Sequence, residues 1–135
     1  MATLAGEFDA QHSAVLCIVD GDTEERDALV SVLVKLHCPV HSYASAEELL
    51  DALGGTSCDL LVSAVRLPGM SGIELLKRIR ARGISAPTIL LSDEGDIPTA
   101  VDAMRAGAVD FLEKPFVDRV LLRRAEDALD SAGRH

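Results

Sequence analysis

Basic side chains are scarce in this sequence: 13 Lys and Arg stand against 22 Asp and Glu, a formal net charge of −9 at pH 7. Such an acidic surface repels phosphate backbones, so we predict no direct binding of nucleic acid. Long apolar runs are also missing, because no stretch approaches the ~18 residues of a membrane span. Residues 1–14 hold no Lys or Arg ahead of an apolar segment, unlike a signal peptide. We therefore expect a cytoplasmic protein without membrane contact.

Cysteine is rare as well. Cys17, Cys38 and Cys58 are too few and too oddly numbered for a disulfide framework, and their apolar neighbours favour buried free thiols. The composition is otherwise that of an ordinary globular protein, with 48% apolar and 26% charged residues. A length of 135 residues is typical of one domain.

From Val15 onward, one pattern occurs five times: a short apolar run, a polar turn, then a stretch with helical spacing. Several of the runs are apolar on both faces, as buried parallel strands are. Strands that alternate with helices predict an α/β fold, a doubly wound five-stranded parallel sheet flanked by five helices. The apolar runs are Val15–Val19, Val40–Tyr43, Leu60–Val62, Ile89–Leu91 and Val109–Leu112.

The helices carry recognisable start signals. A capping residue with Glu three positions later opens the first three helices, Asp96 can cap the fourth, and the fifth follows Pro115. We place a flexible leader at 1–13, the domain at 14–131 and a tail at 132–135. The three cap and Glu pairs are Asp22 with Glu25, Ser45 with Glu48, and Ser71 with Glu74.

In an open doubly wound sheet, ligands bind beyond the carboxyl ends of the strands. The residues just after the apolar runs are therefore the candidate site, and we expect them to meet at one edge of the sheet. They are Asp20, Gly21, Asp22, Ala64, Ser92, Asp93, Lys114 and Pro115.

Four segments, 18–22, 65–72, 106–112 and 113–116, resemble the response-regulator receiver domain (CheY-like) of two-component signalling, over residues 14 to 131. The amino-acid sequences of these segments look closest to those of the FixJ-like branch of that family. The resemblance implies a flavodoxin-like fold with strand order 2-1-3-4-5 and a place in a phosphorelay.

Two positions depart from the family pattern. Asp20 matches the first of two acids after the first strand, but Gly21 stands where the second, a Mg²⁺ ligand, is usual. Four residues before Pro68, at the family's phosphoacceptor aspartate, stands Ala64. A methyl group cannot attack phosphorus. We interpret the chain as a pseudo-receiver with no catalytic residue, no cofactor, and at most weak Mg²⁺ binding through Asp20 and Asp22.

Other family positions are retained in form. Ser92 matches the hydroxyl residue that contacts the phosphoryl group, Lys114 the lysine that pairs with it, and Phe111 the aromatic switch. Without a phosphoryl group, we expect Lys114 to pair with Asp20 and Phe111 to pack in the core. In a regular strand we expect the Ser63 hydroxyl to point away from the crevice, which disfavours Ser63 as a substitute acceptor.

Similar receivers use helix 4, strand 5 and helix 5 for dimerisation. We predict a homodimer or partner interface on that surface, and a basic face of the third helix around Lys77, Arg78 and Arg82 is the alternative. The candidate interface residues are Met104, Arg105, Leu122 and Arg123.

The predicted function is that of a single-domain response regulator, not an enzyme, which binds a histidine kinase, another signalling protein or itself without phosphorylation. We expect no helix-turn-helix output domain, which would need dozens of additional residues. Two alternatives stay open: the receiver portion of a longer FixJ-like transcription regulator or a disabled variant of one, and a small-ligand binder or enzyme that uses Asp20, Asp22, Asp93 and Lys114.

Overall fold

The computed structural model describes residues 14–133. All neighbouring strands are parallel, in the spatial order β2-β1-β3-β4-β5. The first, third and fourth strands are buried throughout, which is why their sequences are apolar on both faces. The predicted fold class and strand order are confirmed. The strands are β1 Leu16–Val19, β2 Val40–Tyr43, β3 Leu60–Ala64, β4 Thr88–Ser92 and β5 Asp110–Glu113.

Each of the first four helices is preceded by a capping residue, as predicted. Its side chain accepts the backbone N–H of the residue three positions further along the chain. Such a cap stabilises a helix by about 1 kcal/mol. The capping residues are Asp22, Ser45, Ser71 and Asp96. The helices are α1 Thr23–Leu33, α2 Ala46–Ala52, α3 Gly72–Ala81, α4 Ile97–Arg105 and α5 Asp118–Gly133.

The helices cover both faces of the sheet with separate cores. On one face, Leu33 of α1 and Leu121 of α5 pack against Ile18 of β1. On the other face, α2 and α3 contribute Leu49 and Leu76 to a second core. A fully buried leucine adds roughly 1.5–3 kcal/mol of hydrophobic stabilisation. The carboxyl edge of the sheet is therefore held between two well-packed layers.

The start of α5 differs from the sequence-based expectation. The apolar pattern predicts Val117 and Val120 on the same buried side as Leu121 and Ala125, but Val117 is 58% and Val120 36% exposed. Val117 precedes the helix, and Val120 lies one residue, about 100°, around the axis from Leu121. Both side chains are therefore directed outside the core stripe.

The predicted domain boundaries stay a prediction. α5 ends at Gly133, within the segment 132–135 that we predict to be a tail. The leader predicted at 1–13 lies outside the described residues. Within 14–133, no helix has the length and apolarity to cross a membrane, and Cys17, Cys38 and Cys58 are free thiols.

Candidate functional site

Four residues that end or follow strands come together at the carboxyl edge of the sheet. Asp20 follows β1, Ala64 and Ser92 are the last residues of β3 and β4, and Lys114 follows β5. The Lys114 Nζ lies 3.4 Å from Asp20 Oδ2, and the Lys114 backbone N–H donates to the Ser92 carbonyl at 2.7 Å. The site positions predicted from the sequence thus share one crevice.

Asp20 is almost fully buried, with 3% exposure. Its Oδ1 accepts the backbone N–H of Asp22 at 2.9 Å, and its Oδ2 faces Lys114. Burial raises the pKa of Asp20 above its ordinary value, although the Asp22 hydrogen bond and the Lys114 charge act in the opposite direction. Both carboxylate oxygens consequently already have partners within the protein.

Lys114 is shared by two carboxylates. Besides Asp20, its Nζ forms an ion pair with Glu25, which lies in the first turn of α1. Burial alone lowers the pKa of Lys114, but the hydrogen bonds and charges of Glu25 and Asp20 together outweigh burial and raise that pKa. The Lys114 side chain is only 19% exposed. The ion pair therefore ties α1 to the connection between β5 and α5.

Ser92 uses its hydroxyl within its own loop. The Ser92 Oγ donates to the Glu94 carbonyl at 2.8 Å and accepts the Glu94 N–H at 3.1 Å. The Glu94 carboxylate forms an ion pair with Arg66 from the loop after β3. The loops that follow β3 and β4 are thus linked to each other across the crevice.

Gly21 lies against the loop between β3 and α3. A Cβ built on Gly21 would stand 2.8 Å from Cδ of Pro68, closer than real Cβ contacts. Any side chain at this position requires the loop to move. The Pro68 ring therefore occupies the space that a side chain at position 21, next to Asp20, would need.

The remaining polar side chains near the crevice are used elsewhere. Ser63 is fully buried, and its Oγ donates to the Ala64 carbonyl at 2.9 Å. It lies on the α3 side, 3.1 Å from where a Gly72 Cβ would stand. Asp22 Oδ1 accepts the Glu25 N–H at 3.0 Å as the α1 cap. Phe111 is half-buried and packs against the core on the α2 and α3 side.

The candidate interface is apolar and mostly exposed. Met104 is 50% exposed and Arg105 and Arg123 are exposed, whereas Leu122 is half-buried against the core. Seven large apolar side chains are exposed among the described residues, and six of them lie in or beside α4, β5 and α5. Those six are Ile97, Val101, Met104, Val109, Val117 and Val120; with the polar residues between them we call this surface the α4–β5–α5 face.

The basic side chains of α3 are largely engaged. Arg78 pairs with Glu74 at 3.3 Å, and Arg80 and Arg82 donate to backbone carbonyls. Among the described residues, an acidic side chain therefore compensates only Arg78, while the guanidinium groups of Arg80 and Arg82 are held by backbone carbonyls.

Sequence reasoning missed three contacts of this site: Lys114 with Glu25, Arg66 with Glu94, and Pro68 with Gly21. Glu25 was interpreted only as the partner of a helix cap, and it lies 89 positions from Lys114. No local pattern carries information on such a pair. The only signal in the sequence was the position of the strand ends, because the residues that follow parallel strands lie together at the crevice.

The family pattern described as "Response regulator receiver domain" matches residues 16–126. The chain belongs to this family of two-component signalling proteins. Its fold and the position of its crevice agree with that assignment.

Individual proteins give the same result. The chain is 44% identical over 115 residues to the transcriptional regulatory protein FixJ of Bradyrhizobium diazoefficiens, covering 85% of this chain and 56% of FixJ. Full-length FixJ from B. japonicum superposes with a TM-score of 0.81 at 43% identity, over 88% of this chain and 59% of that one. A CheY-like receiver domain protein from Methanospirillum hungatei superposes at 0.84 with 26% identity, over 90% and 97%. The chain spans little more than half the length of FixJ.

Receiver domains typically bind Mg²⁺ at the phosphorylation site, but the residues here do not fit the ion. Mg²⁺ prefers several oxygen ligands in octahedral geometry. Within residues 14–133, no three His, Cys, Asp or Glu side chains are arranged to hold a metal. Asp20 is the single buried carboxylate of the crevice, and Lys114, a competing cation, contacts one of its oxygens. Gly21 and Ala64 supply no side-chain oxygen.

Proposed function

We propose that this chain is a pseudo-receiver that signals by protein contact and accepts no phosphoryl group. The observation that carries this proposal is the state of the crevice. Ala64 occupies the position that matches the phosphoacceptor, and the polar groups around it are satisfied internally: Ser92 by Glu94, and Lys114 by Asp20 and Glu25.

The chemistry supports the same conclusion. Phosphoryl transfer needs an in-line nucleophile and cations that neutralise the charge on the transferred group. The Ala64 methyl provides no lone pair, and the Ser63 hydroxyl is committed on the α3 side of the strand. The proposal therefore includes no enzymatic activity and no bound cofactor.

The surface proposed for signalling is the α4–β5–α5 face, and its proposed occupant is a second copy of this chain. An apolar centre such as Val101 and Met104, surrounded by charged residues, is typical of a modest protein interface. A twofold interface is self-complementary, so a charged patch suits it when the patch carries both signs of charge. This face provides them, with Asp102 on α4 and Arg105 and Arg123 beside the apolar stripe.

The decisive experiment is incubation with acetyl phosphate and Mg²⁺, followed by intact mass spectrometry. We expect no hydroxylamine-sensitive phosphoryl adduct. A stoichiometric adduct on the natural sequence would overturn the proposal. The Ala64→Asp variant, run in parallel, restores the missing nucleophile, and a low yield of adduct there shows that the assay detects an acyl phosphate.

A second candidate is the receiver portion of a longer transcription regulator, because the match covers only 56% of FixJ. The intact mass of the protein in its native cells separates the two candidates. A native mass well above 14.3 kDa supports the longer regulator, and the crevice chemistry proposed above applies in either case.

A further inference from the structure

A cavity of about 450 Å³ lies beside Lys114, between α1 and the start of α5. Its floor is apolar, with Leu29 and Val32 from α1 and Pro115 and Phe116 from the connection after β5. This volume falls within the roughly 300–1,000 Å³ of small-molecule sites. The cavity is large enough for a ligand with a hydrocarbon or aromatic body.

The rim of the cavity carries four charged side chains, Glu25, Asp93, Lys114 and Asp118. The ammonium of Lys114 is compensated by Glu25 and by Asp20. Asp93 and Asp118 form no ion pair within residues 14–133. Two uncompensated carboxylates therefore border an apolar floor.

We propose that this cavity binds an organic cation, an ammonium or amidinium group attached to an apolar body. The apolar body covers Leu29 and Phe116, while the cation lies between Asp93 and Asp118. A cation gains Coulomb energy from both carboxylates, whereas an anion meets three acids and a lysine that already has two partners. The inference concerns the cavity alone and holds whether or not the chain accepts a phosphoryl group.

Three probes with one skeleton test the proposal: phenylbutylamine, phenylbutanol and phenylbutyrate. Amide chemical shifts of the labelled full chain, followed by titration, report both position and affinity. We expect the amine to bind about two- to thirtyfold more tightly than the alcohol, the range for two exposed ion pairs, and the carboxylate to bind most weakly. The shifts concentrate around Leu29, Val32 and Phe116.

Charge variants separate a built site from general attraction to an acidic protein. Asp93→Asn and Asp118→Asn should each lower the affinity for the amine towards that for the alcohol. Neither variant should change the affinity for the alcohol. Asp51→Asn, which removes an exposed acid on α2 at the other face of the sheet, leaves both affinities unchanged. Ala28→Phe fills the cavity and weakens all three probes, with unchanged amide shifts elsewhere as evidence of folding.

Three results would overturn the proposal. The first is the absence of saturable shifts around the cavity with millimolar amine. The second is tighter binding of the carboxylate, which would make Lys114 the anchor. The third is an equal loss of amine affinity in Asp51→Asn, which would reduce the effect to net charge.

Discussion

The crevice and the α4–β5–α5 face are opposite kinds of surface on one domain. In the crevice, the buried polar groups satisfy one another, and the described part of the chain has no buried side-chain nitrogen or oxygen without a partner. On the α4–β5–α5 face, apolar side chains such as Ile97, at 78% exposure, are left in water. A new ligand in the crevice must displace existing bonds, whereas a partner on the face removes apolar area from water at about 25 cal/mol per Å². The domain therefore favours contact on the face over chemistry in the crevice.

Two adjacent residues of α5 give the largest expected effect. Leu121→Ala opens a cavity in a fully buried position and should lower the free energy of unfolding by about 2–4 kcal/mol. Val120→Ala, one residue away and partly exposed, should change it by less than about 0.5 kcal/mol and weaken self-association instead. Urea unfolding and light scattering measure the two quantities. Equal destabilisation by both changes would place Val120 in the core and remove it from the face.

Adding acidic residues to the crevice disrupts the balance of hydrogen bonds and ion pairs among its side chains. The double variant Gly21→Asp with Ala64→Asp places two more carboxylates beside Asp20 and displaces Pro68, so we expect it to unfold more easily by about 1–3 kcal/mol without metal. Millimolar Mg²⁺ should recover much of this loss. Thermal unfolding with and without Mg²⁺ tests it, with Ala64→Asp alone as the intermediate case. A clear Mg²⁺ stabilisation of the natural sequence would contradict the poor fit of the ion.

Reversing two charges tests whether the α4–β5–α5 face is the surface of self-association. Arg105→Glu with Arg123→Glu should weaken self-association by about 0.5–1 kcal/mol, because both side chains lie at an exposed rim. Size-exclusion chromatography with light scattering at low and moderate salt measures the change. Lys77→Glu with Arg78→Glu is the matched control on α3. If only this control dissociates the protein, the α3 surface is the interface.

The smallest effect expected is a dependence on pH. Because burial raises the pKa of Asp20, the folded state holds this proton more tightly than the unfolded state. Its stabilising contribution is present below the unfolded pKa and is lost as the pH rises through the folded pKa. The Asp20→Asn variant lacks this contribution. Its free energy of unfolding should therefore fall less steeply than that of the natural protein as the pH rises through the acidic range. Urea unfolding of the natural protein and of Asp20→Asn over a pH series tests this.

The features that the sequence predicted correctly depend on short-range patterns. The Ser71 cap of α3 is three residues from the Glu74 N–H that it accepts, and the buried strands carry their own apolar composition. Parallel topology then brings Asp20, Ser92 and Lys114 to one edge without further information. The features that were missed are contacts between distant segments.

The orientation of single side chains was harder to predict. Val120 and Leu121 are both apolar neighbours on α5, and only the packing of the helix against α1 and β3 decides which one is buried. Similarly, Glu25 fits its helix-start position by composition, while its pairing with Lys114 depends on how close α1 comes to the last loop. Such details are set by tertiary geometry rather than by local preference.

The Lys114 ammonium, shared between Asp20 and Glu25, joins segments 89 positions apart in the chain. A link of this kind makes local opening cooperative, because the first turn of α1 cannot separate from the β5–α5 connection without breaking it. Amide protons at the start of α1 should therefore exchange with solvent at rates that follow those around Phe116. The hydrogen-exchange protection of the start of α1 becomes a measure of order in the β5–α5 connection.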